Sequence, residues 1–334
     1  MILAGDIGGT NSRMALAEVQ DGRLQIVAGK DYPGRDFNGL ESVIRAFLAE
    51  NPSAKVDAAC MAVAGPVRDG VVNATNLPWT IVGSDLAHML GIAEVHLIND
   101  LQANGVGIPM LQPDDFVVLN AGVAGAVGNQ CVVSAGTGLG EAGIFWDGKQ
   151  LHVFACEGGH CDFAPRTEVE VELWRYLNDR FRDSSGRVSV ERVLSGPGLI
   201  NIYQFFRDAK GLREPGWLAQ EISIAPAAAA ISKAALAGTA EIAVRSLDLF
   251  TSVYGAEAGN MALKTLATGG VFIGGGIAPK IAPKIVGGLF LEAFFAKGRM
   301  RPLLEAMPVR MITNDKTALL GAARFAAVAA GIMP

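Results

Sequence analysis

Alternating apolar and polar positions predict strands joined by a glycine turn at the start of the chain. Apolar Ile2 and Leu3 lead into a Gly-Asp pair and a Gly-Gly turn, after which Met14, Leu16 and Val19 alternate with small or polar residues. A period of two is typical of a half-buried strand, and glycines between two such runs predict a tight turn. The first twenty residues therefore predict a β-hairpin.

The same layout of strand, glycine turn and strand returns about one domain later. Gln130–Ser134 has an apolar centre, AGTGLG follows it, and Gly143–Trp146 is apolar again before an Asp-Gly turn. Two copies of one layout are stronger evidence than either copy alone. The glycines in 138–143 also match G-x-G-x-x-G, but that dinucleotide motif requires a helix after the glycines. Because a hairpin is predicted here, we reject a dinucleotide-binding fold.

Helical periodicity alternates with short apolar runs in the rest of the chain, which predicts an α/β protein. An apolar stripe at helical spacing predicts a helix Asp36–Glu50, and it consists of Leu40, Val43, Ile44, Phe47 and Leu48. Short apolar runs are typical of parallel strands buried on both faces. The further predicted strands are Leu24–Val27, Asp57–Ala64, Glu94–Ile98, Val117–Leu119, Gly269–Ile277 and Val309–Ile312, and the further predicted helices are Ser84–Met89, Glu168–Arg182, Leu199–Asp208, Ala225–Ala237, Thr239–Ala267, Ile281–Ala296 and Lys316–Ala330.

Capping residues mark several of the predicted helix ends. Ser84 and Asp315 are expected N-caps, because their side-chain oxygens can accept backbone N–H groups of a first turn. Gly91 suits the left-handed position that follows a helix. The Ser-Gly-Pro-Gly run at 195–198 is expected to end a short helix that contains Glu191, and Arg213–Glu221 is expected to be a surface loop that opens the next helix.

Composition and charge restrict the class of protein. The 334 residues suffice for two cores, 50% are hydrophobic and 18% are charged, so we expect a globular protein. A net charge of −5 without a Lys/Arg cluster argues against a nucleic-acid surface. Strand residues begin at Ile2, and the apolar stretch Ile224–Leu236 contains a proline and a lysine. We therefore expect neither a signal peptide nor a membrane span, and a cytoplasmic protein.

The four cysteines predict no disulfide framework. Cys60, Cys131, Cys156 and Cys161 are few for a chain of this length, and none forms a C-x-x-C pair. We interpret them as small, reduced core residues in preference to metal ligands.

The first glycine turn is a candidate phosphate site. Consecutive backbone N–H groups in such a turn form a concavity that suits phosphate oxygens, and Thr10 adds a hydroxyl donor. Asp6 is placed to hold Mg²⁺ through water, because this cation prefers oxygen ligands and keeps several waters. Taken alone, the stretch is equally compatible with an ordinary hairpin.

Polar residues at other turns are candidates for ligand contacts. Asn99 and Asp100 follow a predicted strand, and ligands of open α/β sheets bind beyond the carboxyl ends of strands. They are also compatible with a helix cap. Two glycines between Glu157 and His160 permit a bend that aims both side chains into one cavity. The alternatives are a structural role for His160 and a solvated helix face for Glu191.

Several motifs in a fixed order carry a family resemblance. The segments GDIGGTN, SAGTGLG and GGVFIGGGI resemble the two phosphate segments and the adenosine segment of sugar kinases with the actin-like ATPase fold. With LIND, EGGHCDFAP and ERVLSGPGL between them, the chain resembles the bacterial ATP-dependent glucokinases, from its first strand to its last helix. Relatives with a zinc motif have a cysteine-rich site after the histidine, whereas only Cys161 follows His160 here.

The resemblance implies a fold and a domain division. Two actin-like (ribonuclease H-like) α/β domains are expected, with a ligand cleft between them. The small domain is expected at 1–110 and 315–334 and the large domain at 111–314. A homodimer is expected from the resemblance alone.

The resemblance also implies Mg²⁺–ATP-dependent phosphorylation of D-glucose to glucose 6-phosphate in glycolysis. Asp100 is the expected general base, because a carboxylate near the C6 hydroxyl both orients it and accepts its proton. The expected sugar ligands are Asn99, Asp100, Glu157, His160 and Glu191. The expected nucleotide-binding residues are Gly5, Asp6, Ile7, Gly8, Gly9, Thr10, Asn11, Gly136, Thr137, Gly138, Gly274, Gly275 and Gly276.

Two alternative functions stay open at this point. One is a kinase for another hexose, such as mannose, fructose or N-acetylglucosamine, since the sequence does not measure the room beside Glu157 and His160. The other is a sugar-sensing regulator without catalysis. The presence of Asp100 and of both phosphate turns argues against a regulator.

Overall fold

The computed structural model describes residues 1–74, 77–181 and 186–333. Within these ranges the chain divides into two compact units, Met1–Asp115 with the segment from Asn314 onward, and Phe116–Thr313. We call them unit 1 and unit 2. The predicted helix end at Arg182 and the final proline of the predicted small domain lie outside the described residues.

Each unit is built on its own sheet. Unit 1 contains the strands β1 (Ile2–Ile7), β2 (Asn11–Gln20), β3 (Arg23–Pro33), β4 (Ala58–Val63), β5 (Val71–Asn73), β6 (Thr80–Val82) and β7 (Val95–Asn99). Unit 2 contains β8 (Phe116–Asn120), β9 (Gln130–Ala135), β10 (Leu139–Trp146), β11 (Leu151–Cys156), β12 (Gly270–Gly274) and β13 (Val309–Ile312).

The helices flank these sheets. They are α1 (Leu40–Ala49), α2 (Gly83–Leu90), α3 (Asp100–Gly107), α4 (Glu168–Arg180), α5 (Gly196–Asp208), α6 (Gly216–Ile224), α7 (Ala227–Leu236), α8 (Glu241–Thr265), α9 (Ala282–Val286), α10 (Leu289–Phe295), α11 (Arg301–Ala306) and α12 (Thr317–Ala329). Among the described residues, no single helix is long and apolar enough to cross a membrane, and α7 with α8 meets that criterion only as a pair bent by 99°.

The main sheet of unit 1 has the strand order β3-β2-β1-β4-β7. β1, β2 and β3 pair antiparallel, which confirms the N-terminal hairpin, while β4 and β7 continue the sheet in parallel with β1. One face of the sheet packs against α1 and α2, and the other packs against α12. Four of the five positions of the apolar stripe predicted for α1 are buried and Leu48 is half-buried, because this is the stripe that faces the sheet.

The sheet of unit 2 has the strand order β11-β10-β9-β12-β13-β8. Its large core is filled from α5, α7, α8 and α10. The buried hydroxyl of Tyr254 on α8 accepts the Ala135 N–H at 3.2 Å and donates to the Gly274 carbonyl oxygen at 3.0 Å. The long helix therefore ties together the ends of two neighbouring strands, β9 and β12.

Two of the predicted N-caps are wrong. Helix α2 begins at Gly83 after Val82, so Ser84 is inside the helix and is not its N-cap. Asp315 does not cap α12, because its carboxylate pairs with Arg13 at 3.0 Å. The prediction for Gly91 is confirmed, since this residue ends α2 with φ +68°.

Two segments expected to be irregular are helical. The run at 195–198 opens α5, with Ser195 as the N-cap that accepts the Gly198 N–H at 3.0 Å. Arg213–Glu221 is not a loop throughout, because α6 begins at Gly216. A proline after the cap is tolerated because the first turn of a helix has no partner for its N–H groups.

Glycines set the distance between α3 and α12. A Cβ atom on Gly107 would overlap the carbonyl oxygen of Thr317, and a Cβ atom on Gly321 would overlap that of Ala103. The two helix backbones therefore touch without intervening side chains. This contact holds α3 in place, and the first residue of α3 is Asp100.

Replacing Gly321 by alanine is expected to destabilise unit 1 by about 1–3 kcal/mol, the usual cost of forcing an extra carbon into a packed interior. Urea unfolding of the purified variants measures the change. The matched control is Gly216→Ala, because a Cβ atom there meets nothing within 4 Å. Equal stability of the two variants would contradict a close helix contact.

Candidate functional site

The parallel strands of unit 1 bring three chain segments to one edge of the sheet. In the strand register Ile7 lies beside Val63, and Val63 lies beside Asn99. The residues that follow these positions are the first glycine turn, the Ala64-Gly65 segment and Asp100. The carboxyl ends of these strands therefore lie at one edge of the sheet. Polar groups from separate parts of unit 1 meet at that edge.

The first glycine turn is closed by backbone hydrogen bonds. The Gly8 N–H donates to the Asn11 carbonyl oxygen at 3.0 Å, and the Gly34 N–H donates to that of Thr10 at 2.9 Å. Neither Gly8 nor Gly9 has a positive φ, so the turn does not depend on a left-handed residue. The side chains of Thr10 and Asn11 are exposed. Gly5 and Ile7 are buried inside β1, so the structure does not bring them to the exposed surface of the turn.

Asp6 has an unusual electrostatic environment. It lies opposite Arg13 in the hairpin, and the Arg13 guanidinium in turn pairs with Asp31 at 3.5 Å and with Asp315 at 3.0 Å. Burial raises the pKa of Asp6 to about 6, while the charge of Arg13 opposes that rise. Within the described part of the chain no group of three or more His, Cys, Asp or Glu side chains could hold a metal ion. A single carboxylate fits a hydrated Mg²⁺, which keeps most of its waters.

Asn99 and Asp100 form the junction between β7 and α3. The Asn99 side-chain oxygen caps α3 by accepting the Leu101 N–H at 2.9 Å and the Gln102 N–H at 3.3 Å. Its amide nitrogen donates to the Gly65 carbonyl oxygen at 3.2 Å. The oxygen of the Asn99 amide is therefore committed to the backbone, in agreement with the helix-cap alternative left open by the sequence. Asp100 accepts the Leu101 N–H at 3.0 Å.

The second glycine turn lies beside the late glycine run. The Gly136 N–H donates to the Gly138 carbonyl oxygen at 2.8 Å, and Thr137 is exposed. Gly275 has φ +82°, and a Cβ atom there would overlap the Ala135 carbonyl oxygen. The predicted nucleotide-binding residues of unit 2 are therefore neighbours. Position 275 requires a glycine, because its φ is positive and because a Cβ atom would not fit there.

Glu157 and His160 are brought together by a single 3₁₀ turn at Gly158–His160. The His160 Nε2 and Glu157 Oε2 atoms are 4.0 Å apart, and the side chains are 57% and 64% exposed. A Cβ atom on Gly159 would overlap the Leu139 carbonyl oxygen. The predicted bend is present, but the two side chains do not line one cavity, because His160 lines a cavity of about 240 Å³ and Glu157 lines another of about 590 Å³.

Glu191 joins the same group of polar side chains. Its Oε2 atom accepts the Leu139 N–H at 2.9 Å, so its carboxylate is anchored to β10. Both His160 and Glu191 line a cavity of about 240 Å³ whose other walls include Arg187 and Arg192. The structure therefore unites three of the five predicted sugar ligands within unit 2, and it places Asn99 and Asp100 together in unit 1.

Sequence reasoning missed Arg187. The Arg187 guanidinium donates to the His160 carbonyl oxygen at 2.7 Å and to the Asp162 carboxylate at 2.9 Å. It thereby holds the end of the turn that carries His160. A single arginine in a polar stretch has no characteristic spacing, so no pattern in the sequence points to it.

The cysteines divide into two pairs. Cys60 and Cys131 are buried and free, as expected of reduced core residues. Cys156 is half-buried, and Cys161 is exposed. The prediction of a core position is wrong for Cys161, because the 3₁₀ turn before it leaves that residue at the surface.

Comparison with known proteins gives a consistent result. The sequence model described as glucokinase matches residues 3–329. A glucokinase from Trichormus variabilis is 43% identical over 98% of this chain and 99% of its own length. A crystal structure of a glucokinase from an Antarctic psychrotroph, 33% identical, superposes with a TM-score of 0.84 over 98% of both chains. A glucokinase from Balamuthia mandrillaris, crystallised with glucose, is 22% identical and has a TM-score of 0.77 over 97% of this chain and 93% of its own. These matches confirm the prediction of two actin-like α/β domains.

Replacing Asp6 by asparagine is expected to change how stability depends on pH. Because burial raises the pKa of Asp6 from 3.8 to about 6 in the folded state, its contribution to stability is complete below pH 3.8 and is lost as the pH rises through about 6. The variant does not titrate, so this loss should vanish from urea unfolding measured across that range. Asp69→Asn, in an exposed turn, is the control that should keep the wild-type slope. The same slope in Asp6→Asn would contradict a raised pKa of Asp6 in the folded state.

Proposed function

The chain belongs to the glucokinase family and phosphorylates glucose, and from that premise we propose that Mg²⁺–ATP is the donor, the 6-hydroxyl the acceptor and Asp100 the general base. The observation that carries the proposal is the strand register that aligns the ends of β1, β4 and β7. It brings Asp100 to the same sheet edge as the first glycine turn. Phosphoryl transfer depends mainly on such positioning and on charge stabilisation.

Asp100 is suited to accept a proton. It is the first residue of α3, and its Oδ1 atom accepts the Leu101 N–H at 3.0 Å, so the backbone orients the carboxyl group. The glycine contact between α3 and α12 limits movement of the helix, and therefore of the carboxylate. A carboxylate held in this way orients the attacking hydroxyl and takes its proton in the same step.

Asn99 supports this base through the backbone. By capping α3 and bonding Gly65, its amide fixes the position from which Asp100 projects. We propose that the sugar contacts only the remaining N–H of the amide. A role as a donor is consistent with an oxygen that already accepts two backbone N–H groups.

Glu157, His160 and Glu191 are the proposed sugar ligands of unit 2. A hexose presents hydroxyl groups that donate and accept, and two carboxylates with one imidazole offer matching acceptors and a donor. The anchor from Leu139 to Glu191 orients that carboxylate before any sugar arrives. Prior orientation lowers the entropic cost of binding.

The proposed nucleotide contacts use backbone N–H groups at both glycine turns. Gly8, Gly9, Thr10 and Asn11 serve in unit 1, and Gly136–Gly138 with Gly274–Gly276 serve in unit 2. Glycines allow phosphate and ribose to approach the backbone closely. Asp6 would hold Mg²⁺ through water, and the ion would supply positive charge beside the phosphates.

We also propose a homodimer in the cytoplasm. The dimer is proposed from family membership. The location is supported by the use of ATP and by four cysteines that are free in the structure.

A coupled assay with a panel of hexoses tests the proposed reaction. With Mg²⁺ and ATP, glucose is expected to give the highest kcat/KM, with glucose 6-phosphate and ADP formed in equal amounts. A preference for N-acetylglucosamine would contradict the assignment of glucose. Binding of sugar without any release of ADP would instead indicate a regulator.

Asp100→Asn is expected to lower kcat by roughly 10²–10⁴-fold, the usual contribution of a general base. The side chain keeps its shape, so glucose should still stabilise the protein in a thermal shift measurement. Asp69→Asn makes the same chemical change in an exposed turn and should retain full activity. Turnover near the wild-type value in Asp100→Asn would exclude this residue as the base.

Glu191→Gln is expected to act mainly on the KM for glucose. The amide oxygen can still accept the Leu139 N–H, but the negative charge that strengthens a sugar hydrogen bond is gone. Loss of one charge-assisted bond should raise KM roughly tenfold with kcat little changed. Steady-state kinetics of Glu191→Gln measure the change in KM, and the exposed control Glu168→Gln should keep the wild-type KM. A fall in kcat at constant KM would contradict a binding role.

A further inference from the structure

A buried glutamate lies beneath the segment that carries Glu157 and His160. Glu141 projects from β10 and is only 1% exposed. Neither of its carboxyl oxygens receives a hydrogen bond from a donor among the described residues. Because an ionised carboxylate in such a place is costly, this side chain needs a physical explanation.

The Glu141 carboxyl group packs directly against the 3₁₀ turn at Gly158–His160. A Cβ atom on Gly158 would overlap Oε2 of Glu141, so the glycine backbone rests directly on the carboxyl group. The next glycine, Gly159, rests in the same way on the Leu139 carbonyl oxygen. The Cys156 thiol donates to the Glu141 carbonyl oxygen at 3.3 Å, which ties the start of the segment to β10. Two residues of one strand thus support the whole turn.

The groups around Glu141 come from three elements. Helix α8 contributes Glu257, Lys264 and Tyr254, while β9 contributes Cys131 and β11 contributes Cys156. Lys264 Nζ lies 3.6 Å from Glu257 Oε1, and Asn260 donates to Glu257 Oε2 at 2.8 Å. Glu257 is therefore the member of the pair whose negative charge is compensated.

A proton shared between Glu141 and Glu257 explains how their two carboxyl groups can lie side by side. Two carboxylates cannot donate to each other, whereas a protonated Glu141 can donate to Glu257. Burial first, and the charge of Glu257 second, raise the pKa of Glu141 to about 7. Glu141 is consequently neutral over much of the range in which its unfolded counterpart is ionised.

We propose that Glu141 is a positioning residue for glucose binding, whose protonated carboxyl group, paired with Glu257, supports Gly158 and so fixes Glu157 and His160. The inference rests on the proposed function of those two residues. Glu141 is buried beneath the turn, whereas the side chains of Glu157 and His160 are exposed. It acts through the turn that lies on it.

A cavity beside the pair explains why ionisation matters. Glu141 lines a cavity of about 590 Å³, whose other walls include Phe145, Phe154 and Met261, and which also borders Glu157 and Gly158. When Glu141 loses its proton, it repels Glu257, and the cavity offers it room to turn away. Gly158 then loses its support. Since the proton is held below about pH 7 and lost above it, glucose affinity should fall as the pH rises through that value.

The test compares Glu141→Gln with wild type across pH 6 to 9, by KM for glucose and by calorimetric binding of glucose without nucleotide. Glutamine is neutral at every pH and can still donate to Glu257. We expect wild-type KM to rise roughly tenfold across this range, as for the loss of one charge-assisted hydrogen bond, and the variant to show a much smaller rise. At pH 6 the two should have equal KM, and kcat should agree at every pH.

Glu141→Ala removes the support altogether. Its KM should be raised at every pH, while kcat changes little, and Glu141→Gln should restore the low value. Glu168→Gln on the exposed side of α4 is the matched control and should follow wild type throughout. If Glu141→Ala does not fold, the comparison of Glu141→Gln with wild type still decides the question.

The outcomes separate this inference from the proposed function. A chain that neither binds nor phosphorylates hexoses would overturn the proposed function itself. An active enzyme whose Glu141→Gln variant keeps the wild-type pH dependence of KM would overturn only the role of Glu141. A loss of kcat at unchanged KM in Glu141→Gln would also overturn it, because positioning of the sugar ligands predicts an effect on binding.

Discussion

The parallel register of β1, β4 and β7 is the constraint on which the candidate site of unit 1 depends. Because Ile7, Val63 and Asn99 lie side by side, the first glycine turn and Asp100 leave the sheet at the same edge. A register shift of one residue would send every side chain of the shifted strand to the opposite face. The hydrophobic faces of these strands fix the register. The packing of the core therefore also determines where the polar groups at the strand ends are placed.

Close backbone contacts serve the same purpose at two places in the chain. Gly107 and Gly321 let α3 and α12 touch, and Gly158 and Gly159 let the turn before His160 rest on β10. In each case a polar side chain of the proposed site lies next to a tightly packed backbone contact that leaves no room for a Cβ atom. Rigid support of this kind is what a positioned acid or base requires, since small displacements are costly to reaction rates.

Two carboxylic acids with raised pKa values, Asp6 and Glu141, illustrate how surroundings set the behaviour of identical chemical groups. Asp6 faces Arg13, whose positive charge limits the rise of its pKa, whereas Glu141 faces Glu257, whose negative charge adds to the effect of burial. The first environment suits a carboxylate that holds a hydrated cation. The second favours a neutral acid that donates a hydrogen bond.

The sequence by itself determined the α/β class, the two glycine hairpins, and the set of polar residues at turns, because periodicity and glycine spacing are local properties. It did not determine the helix starts at Gly83 and Gly216, the commitment of the Asn99 oxygen to a cap, or the role of Arg187. Those depend on which groups a fold brings within hydrogen-bond distance. The pairing of Glu141 with Glu257, 116 residues apart in the numbering, is of the same kind. Only tertiary packing removes water from such groups, and desolvation is what changes their chemistry.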